Sequence, residues 1–142
     1  MDYTQEFNNI IKEAVSLAVA TSVDGKPNVR IVNHCIDTEK HGVIYFSSNR
    51  ASSKIGEFEK NNEIAFTTVP DPTVSHAHVR STNATVHKSA LSMEEVKDLF
   101  LAQIPGFDQT LVAIGNFLDV YEIHVKEASV ILGPMQAGTV TF

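Results

Sequence analysis

The stretch YFSSNRASSKIGEFEKN, residues 45–61, begins as a predicted β-strand and ends as a predicted helix over residues 52–60. The segment around the junction, residues 41–56, contains no acidic residue but carries Arg50 and Lys54. The same segment holds four serines, Ser47, Ser48, Ser52 and Ser53. We call residues 47–54 the cationic turn. An acidic chain therefore places positive charge and hydroxyl groups where a strand passes into a helix.

This chemistry suits an anion. Ser52 and Ser53 lie at the predicted helix start, where free backbone N–H groups and the positive end of the dipole favour phosphate. Arg30, on the preceding strand, offers a second cation, while the flanking acids Glu39 and Glu57 lie outside the segment. An ordinary N-capped helix with solvated basic side chains explains the same residues equally well. Neither a Walker loop nor a dinucleotide fingerprint is present.

The whole chain has the composition of a globular domain. Its 142 residues predict one domain, residues 1–142, and 43% of them are hydrophobic and 20% charged. The net charge of −6 argues against general binding to nucleic acid or an anionic membrane. The single cysteine, Cys35, excludes an internal disulfide. The polar, acidic N-terminus is unlike a signal peptide, and no apolar run reaches the ~20 residues of a membrane span. We expect a cytoplasmic protein.

Strand patterns dominate the chain. They predict a mainly β (α+β) fold, an antiparallel barrel of six to seven strands with a few short helices. A Rossmann fold is disfavoured because strands and helices do not alternate. The predicted elements are an N-terminal helix capped by Asp2, a hairpin over 16–37, strands at 43–46, 63–69, 76–89, 117–125 and 128–133, and helices at 52–60 and 91–104, the last with a Ser92–Glu95 capping box.

Three segments in order, ATSVDGKPNVRIVNH, GVIYFSSNRASSKIGEFEKNNEIAFTTV and AHVRSTNATVH, carry a resemblance to a known family. They are similar to the pyridoxamine 5'-phosphate oxidase-like FMN-binding split barrels over about residues 15–90. That family has an arginine on the second strand, an aromatic–hydroxyl pair ending the third, and a Ser-Arg-Lys-type turn before a short helix. The resemblance implies a split barrel that binds FMN between the two subunits of a homodimer.

The resemblance also implies roles for individual residues. The second strand would run along the flavin and its phosphate side, Phe46 and Ser47 would line the ribityl chain or ring edge, and Ser53 and Lys54 would hold the phosphate. His78 stands where the family often has a glutamine near the ring. The full set of implied cofactor contacts is Arg30, Ile31, Val32, Asn33, Phe46, Ser47, Arg50, Ser52, Ser53, Lys54 and His78.

Departures from the family pattern argue against a true pyridoxamine 5'-phosphate oxidase. Ser53 replaces the usual arginine, a loss for which Arg50 can compensate. Residues 33–35, Asn-His-Cys, occupy the region where true oxidases place a substrate-binding lysine. The tail GPMQAGTVTF lacks the arginine and histidine that true oxidases use on pyridoxal phosphate. The chain is thus identified as a small relative of these enzymes.

Histidine and cysteine sites are weaker alternatives. His76 and His78 share one face of a strand, and His34 or His124 could join them as metal ligands. No acid or cysteine stands at ligand spacing, so we predict no metal site. A pairing of Cys35 with His34 as nucleophile and base is disfavoured, because neighbours on a strand point to opposite faces. We expect Cys35 to be a small buried hydrophobe.

The resulting hypothesis is an FMN-dependent oxidoreductase that takes electrons from NADH or NADPH and acts on a small molecule, with no catalytic acid or base identified. A non-enzymatic flavin carrier or sensor and a haem-binding split barrel remain alternatives. A deazaflavin would present a similar phosphate to the turn. We expect a homodimer, from the resemblance and because one small barrel would not fully cover the long apolar fifth strand.

Overall fold

Seven antiparallel strands form one sheet that closes on itself. The computed structural model describes all 142 residues. The sheet order is β3-β2-β1-β4-β5-β6-β7, and an additional β3–β6 pairing closes six of the strands into a barrel. In chain order the elements are α1 Tyr3–Glu13, β1 Ser16–Val23, β2 Lys26–Cys35, β3 Val43–Asn49, α2 Ser53–Lys60, β4 Glu63–Thr68, β5 His78–Lys88, α3 Met93–Gln103, α4 Phe107–Ile114, a 3-10 turn Gly115–Phe117, β6 Leu118–Gly133 and β7 Gln136–Thr141.

The barrel is split between β2 and β3. These strands pair only at His34↔Phe46 and Cys35↔Tyr45, whereas β1 and β2 pair along eight positions from Ser16↔Asn33 to Val23↔Lys26. The β1–β2 hairpin turns at Asp24 and Gly25, both with positive φ, as a two-residue Asp-Gly turn requires. The predicted hairpin and split antiparallel barrel are therefore confirmed.

Alternating residues of the strands fill the barrel, and two helices close it. The main core contains Leu17, Val19, Val32, Ile44, Phe46, Val79, Ile123 and Val130, with Phe7 and Ile11 from α1 and Phe58 from α2. The predicted caps of two helices are present: Asp2 accepts from the N–H of Gln5, and Ser92 and Glu95 form a capping box. Thus α1 and α2 are placed against the barrel interior.

A second core lies on the outer side of the β2–β3 junction. There Cys35 and Tyr45 pack with Phe100 of α3 and Phe107 of α4. Cys35 is 1% exposed, which confirms its role as a small buried hydrophobe. Since α3 and α4 cover this end of β2, the outer face of the strand is free only before residue 34.

The C-terminal region departs from the sequence prediction. The strands predicted at 117–125 and 128–133 are one continuous strand, β6, which crosses from β3 to β7 through polar residues 126–127. The tail forms β7, and α4 was not predicted at all. The seven-strand total was right, but two of the predicted strands were one and the last was missed.

The fifth strand does not supply the apolar surface that the dimer argument assumed. Its apolar residues Val79, Ala84 and Val86 are all buried within the same chain. The exposed apolar side chains of the sheet lie on β2 instead, at Val29 and Ile31.

None of the helices has the length and apolar character that a membrane-spanning helix requires.

Candidate functional site

The cationic turn is held in a fixed conformation between β3 and α2. The Asn49 side chain accepts from the N–H of Ala51 at 3.0 Å, the N–H of Ser52 donates to the Asn49 carbonyl at 2.8 Å, and the N–H of Arg50 donates to the Phe117 carbonyl at 3.0 Å. Ser52 is the N-cap of α2, yet its side chain makes no capping hydrogen bond. No acidic residue lies in the first turn of α2. The helix start therefore keeps its positive end available.

Lys54 carries the unbalanced charge of this site. It lies in the first turn of α2, is half-buried, and forms no salt bridge, unlike Arg30 and Arg50. Burial lowers the pKa of the Lys54 ammonium, and the nearby Arg30 guanidinium lowers it further. A cation that is partly desolvated and faces like charge gains more from a bound anion than a solvated surface lysine does.

Arg30 is drawn inward and is paired. Its guanidinium forms a salt bridge with Glu57 of α2 and donates to the hydroxyl of Thr21 at 2.8 Å. The side-chain amide of Asn28 also donates to Glu57, at 3.2 Å. Glu57 lies outside the cationic turn in the sequence, but in the structure its carboxylate contacts Arg30 of β2, 27 residues away in the chain. Its position three residues after Lys54 on the same helix was the only signal in the sequence, and that spacing did not reveal the pairing with Arg30.

Arg50 points along the surface toward β6. Its guanidinium lies 3.3 Å from the carboxylate of Asp119, which also meets Lys88 at 3.6 Å. The Arg50 side chain is 56% exposed, so this pair is a weak one. Its proposed compensation for the missing family arginine stays a prediction, since its charge is shared with Asp119 in this structure.

The predicted residues of β2 and β3 divide between two faces. Val32 and Phe46 lie in the barrel core, where the Phe46 ring stacks on Tyr121 at 5.6 Å between centroids. Only their backbone groups can meet a ligand outside the barrel. Ile31 and Asn33 lie on the outer face and are exposed, and Ser47 is half-buried.

The outer face of the sheet around β2 carries mostly apolar side chains. Val29 and Ile31 are 63% and 59% exposed, and they pair across the strands with Ala20 and Ala18. Ala20 in turn pairs with Ala65 of β4. Small side chains next to two exposed branched ones give a surface that a planar ring or another protein chain can cover.

His78 lies at the start of β5 and is half-buried. Its Nδ1 lies 3.0 Å from the carbonyl of His76, and its Nε2 has no hydrogen bond within the chain. Because a carbonyl only accepts, Nδ1 donates this hydrogen bond, and in a neutral ring Nε2 is then the acceptor. The structure has no group of three or more histidine, cysteine or acidic side chains arranged to hold a metal.

His34 and Cys35 do not form a reactive pair. The His34 Nε2 donates to the Ile11 carbonyl at 2.7 Å, and burial lowers the pKa of the imidazole to about 4. Cys35 lies in the second core, and burial raises the pKa of its thiol to about 12. His34 contacts α1 on the barrel side and Cys35 packs in the second core on the outer side, which confirms that the two side chains point apart.

The sequence of the chain matches the profile of one protein family. A profile described as "Pyridoxamine 5'-phosphate oxidase-like" matches residues 10–136, which is most of the chain. The chain belongs to the pyridoxamine 5'-phosphate oxidase-like family. No curated protein matches it significantly in sequence.

Solved structures show the same fold at low sequence identity. ChuZ of Campylobacter jejuni superimposes with a TM-score of 0.75 at 14% identity, covering 96% of this chain and 58% of that one. A heme binding protein from Mycobacterium smegmatis gives 0.76 at 12% identity, with coverages of 99% and 58%. A Clostridium acetobutylicum protein related to general stress protein 26, described as of the pyridoxinephosphate oxidase family, gives 0.72 at 14% identity, with 98% and 94%.

Structural similarity at these identities establishes the fold of this chain and no more. The chain spans 58% of the length of the first two proteins and nearly all of the third. At such identities the shared architecture does not transfer a ligand, so ligand chemistry has to be argued from this chain's own residues.

Proposed function

We propose that this protein binds FMN, with the phosphate at the start of α2, and acts as a flavin-dependent oxidoreductase on a small molecule. The observation that carries the proposal is Lys54, a half-buried cation without a carboxylate partner, in the first turn of a helix whose N-terminus has no side-chain cap. A phosphate supplies the charge and the acceptor oxygens that this arrangement lacks. Family membership supports the same cofactor.

The residues present fit both ends of such a cofactor. Lys54, the Ser53 hydroxyl and the first N–H groups of α2 would hold the phosphate. The outer face of β2 offers the exposed apolar side chain of Ile31 for the ring, with the Asn33 amide and the half-buried Ser47 hydroxyl as polar groups. FMN, when bound, supplies the electron and hydride transfer, while the protein binds and orients it.

A second copy of the chain completes this proposal. Val29 and Ile31 leave an exposed apolar surface on β2 that one protomer does not cover. Packing two such faces together would bury that surface and shield a ring lying on it from water. We therefore keep the homodimer as part of the proposed function, on the β2 surface and not on β5.

The proposed substrate is not pyridoxamine 5'-phosphate. Positions 33–35, where true oxidases place a substrate lysine, hold an amide, a buried neutral imidazole and a buried thiol. The tail, which forms β7, has no arginine or histidine. A phosphorylated substrate would find no cation from these segments, so we propose a small uncharged or weakly charged acceptor, with NADH or NADPH as donor.

Haem is the second candidate ligand. One structure of similar fold is named a heme binding protein, and the His78 Nε2 has no partner in this chain. His34 is a poor axial ligand because its Nε2 is bound to the Ile11 carbonyl and its ring is 2% exposed. A haem site would therefore depend on His78, whereas a flavin site depends on Lys54.

One titration distinguishes these candidates. FMN, riboflavin and haemin are added separately to the purified protein and to Lys54→Ala, with Lys60→Ala in the last turn of the same helix as control. A charge-assisted hydrogen bond contributes ~1.5–3 kcal/mol, so Lys54→Ala should weaken FMN binding about 10- to 100-fold. The control Lys60→Ala should bind FMN as tightly as the wild type. Equal binding of riboflavin and FMN would contradict the phosphate assignment.

Turnover is tested on the same preparation. Anaerobic addition of NADH or NADPH to the FMN-loaded protein should bleach the flavin absorbance, and an artificial acceptor should restore it. No bleaching with either nicotinamide would rule out the nicotinamide-coupled enzyme and leave a flavin carrier or sensor. A Soret band after haemin addition that is lost in His78→Ala would favour the haem alternative.

A further inference from the structure

Glu57 is an acid built into the site proposed to bind a phosphate. It lies on the same helix as Lys54, three residues farther on, and both its side chain and that of Arg30 are mostly buried, at 23% and 16% exposed. One carboxylate oxygen forms the salt bridge with the Arg30 guanidinium, and the other lies 3.2 Å from the Asn28 amide and 3.4 Å from the Thr21 hydroxyl. These donors on β1 and β2 fix the carboxylate in place.

The same contacts set the charge available to an incoming anion. Arg30 and Lys54 lie close enough for the guanidinium to lower the pKa of the lysine. Glu57 neutralises Arg30 and holds its guanidinium toward Thr21 and the Val19 carbonyl, 2.8 and 3.4 Å away. Of the two cations, only Lys54 is left without an acid. Arg30, Lys54 and Glu57 together thus leave one unpaired positive charge, on Lys54.

We infer that Glu57 is a specificity-determining residue. Its carboxylate pairs with Arg30 as an internal anion, and this pairing lowers the positive charge that the site can offer to a ligand phosphate. Removing its charge should release Arg30 toward the start of α2 and strengthen phosphate binding. The inference rests on the proposed function in taking this anion site as the phosphate end of the cofactor site. It goes beyond that function in assigning Glu57, a residue that the family resemblance did not single out, a role in affinity.

A purely structural role for the pair predicts the reverse. If Arg30 and Glu57 only fasten α2 to the barrel, then Glu57→Gln loosens the helix start and weakens anion binding. The two readings also differ in their dependence on Arg30. An effect that operates by releasing the guanidinium disappears when the guanidinium is absent, whereas loosening of α2 does not require it.

The experiment uses inorganic phosphate as probe, followed by FMN and riboflavin. Phosphate binding is measured by calorimetry and by amide NMR shifts of Ser53 and Lys54 in the wild type, Glu57→Gln, Glu57→Asp and the control Glu59→Gln, an exposed acid on the same helix. Glu57→Gln should bind phosphate at least about tenfold more tightly, on the scale of one charge-assisted hydrogen bond. Glu57→Asp, which keeps the charge, and Glu59→Gln should match the wild type.

The decisive arm is a double-mutant cycle with Arg30→Gln. In that background, Glu57→Gln should no longer change phosphate affinity. Unchanged or weaker phosphate binding by Glu57→Gln, or a gain that persists without Arg30, would overturn the inference. Tighter phosphate binding without any FMN binding would instead defeat the proposed cofactor while leaving the role of Glu57 intact, and riboflavin affinity should be the same in all variants.

Discussion

Acidification should destabilise this protein through one buried histidine, His34. The side chain is 2% exposed, its Nε2 donates to the Ile11 carbonyl at 2.7 Å, and its Nδ1 is buried without a partner. Ile11 lies in the last turn of α1, where carbonyls lack an intrahelical donor. The neutral imidazole therefore satisfies a helix end, but a second proton on Nδ1 would be buried with no acceptor.

The size of this loss in the free energy of unfolding follows from the pKa of His34. Burial lowers the pKa of His34 from 6.5 to about 4, against a smaller opposing effect of the Ile11 hydrogen bond. The unfolded chain then binds a proton between these two values and the folded chain does not, so stability is complete above pH 6.5 and falls as the pH drops toward 4. At 1.36 kcal/mol per pH unit, the free energy of unfolding should fall by ~2 kcal/mol by pH 5 and by ~3 kcal/mol by pH 4.

The assay is urea unfolding followed by circular dichroism from pH 7.5 to 5. His34→Gln keeps an amide donor for the Ile11 carbonyl but cannot titrate, so its stability should lack the ~2 kcal/mol component. His41→Gln, at an exposed histidine, should follow the wild type. Parallel pH profiles of wild type and His34→Gln would refute the reasoning, because every other titrating group is common to both proteins.

Three further outcomes are expected. A Cβ at Gly138 would overlap the Tyr3 ring, so Gly138→Ala should destabilise the protein by about 1–3 kcal/mol in the same unfolding assay, while Gly133→Ala, which meets no atom within 4 Å, should cost much less. The Cys35 thiol, buried and with its pKa raised to about 12, should react with a thiol reagent at pH 8 only after unfolding. Ile31→Glu, at a position 59% exposed in one chain, should convert the proposed homodimer to a monomer in light scattering; a wild-type monomer at micromolar concentration would contradict that proposal.

Local signals in the sequence predicted the elements that frame the site. The Asp-Gly turn, the capping serine at residue 92 and the apolar face ending in Phe58 each depend on residues within a few positions of one another, and each was confirmed. The serine-rich start of α2 belongs to the same class. Such signals are readable because turn and cap geometry depends on short-range sterics and hydrogen bonding.

The errors arose where distant residues decide the structure. Residues 126–127 are polar and read as a break, but β6 continues through them because β5 pairs along most of its length, with register shifts near Asn83. The tail becomes β7 because the second half of β6 offers it an edge. Likewise, the charge of the candidate site depends on Glu57 meeting Arg30 across the barrel end, a contact that no local pattern encodes.

The alternation of β2 explains which of its residues remain available for a ligand. Its inward side chains run Arg30, Val32, His34, with a polar group at each end and an apolar one in the core. Each polar end contacts a helix that closes the barrel: Arg30 pairs with a carboxylate of α2, and His34 donates from Nε2 to a carbonyl of α1. The inward face is therefore fully used in holding the two helices. What β2 offers outward before α3 covers it is an apolar surface at Val29 and Ile31 that ends in one amide at Asn33, and this is the part of the strand left for the proposed ligand or for a second chain.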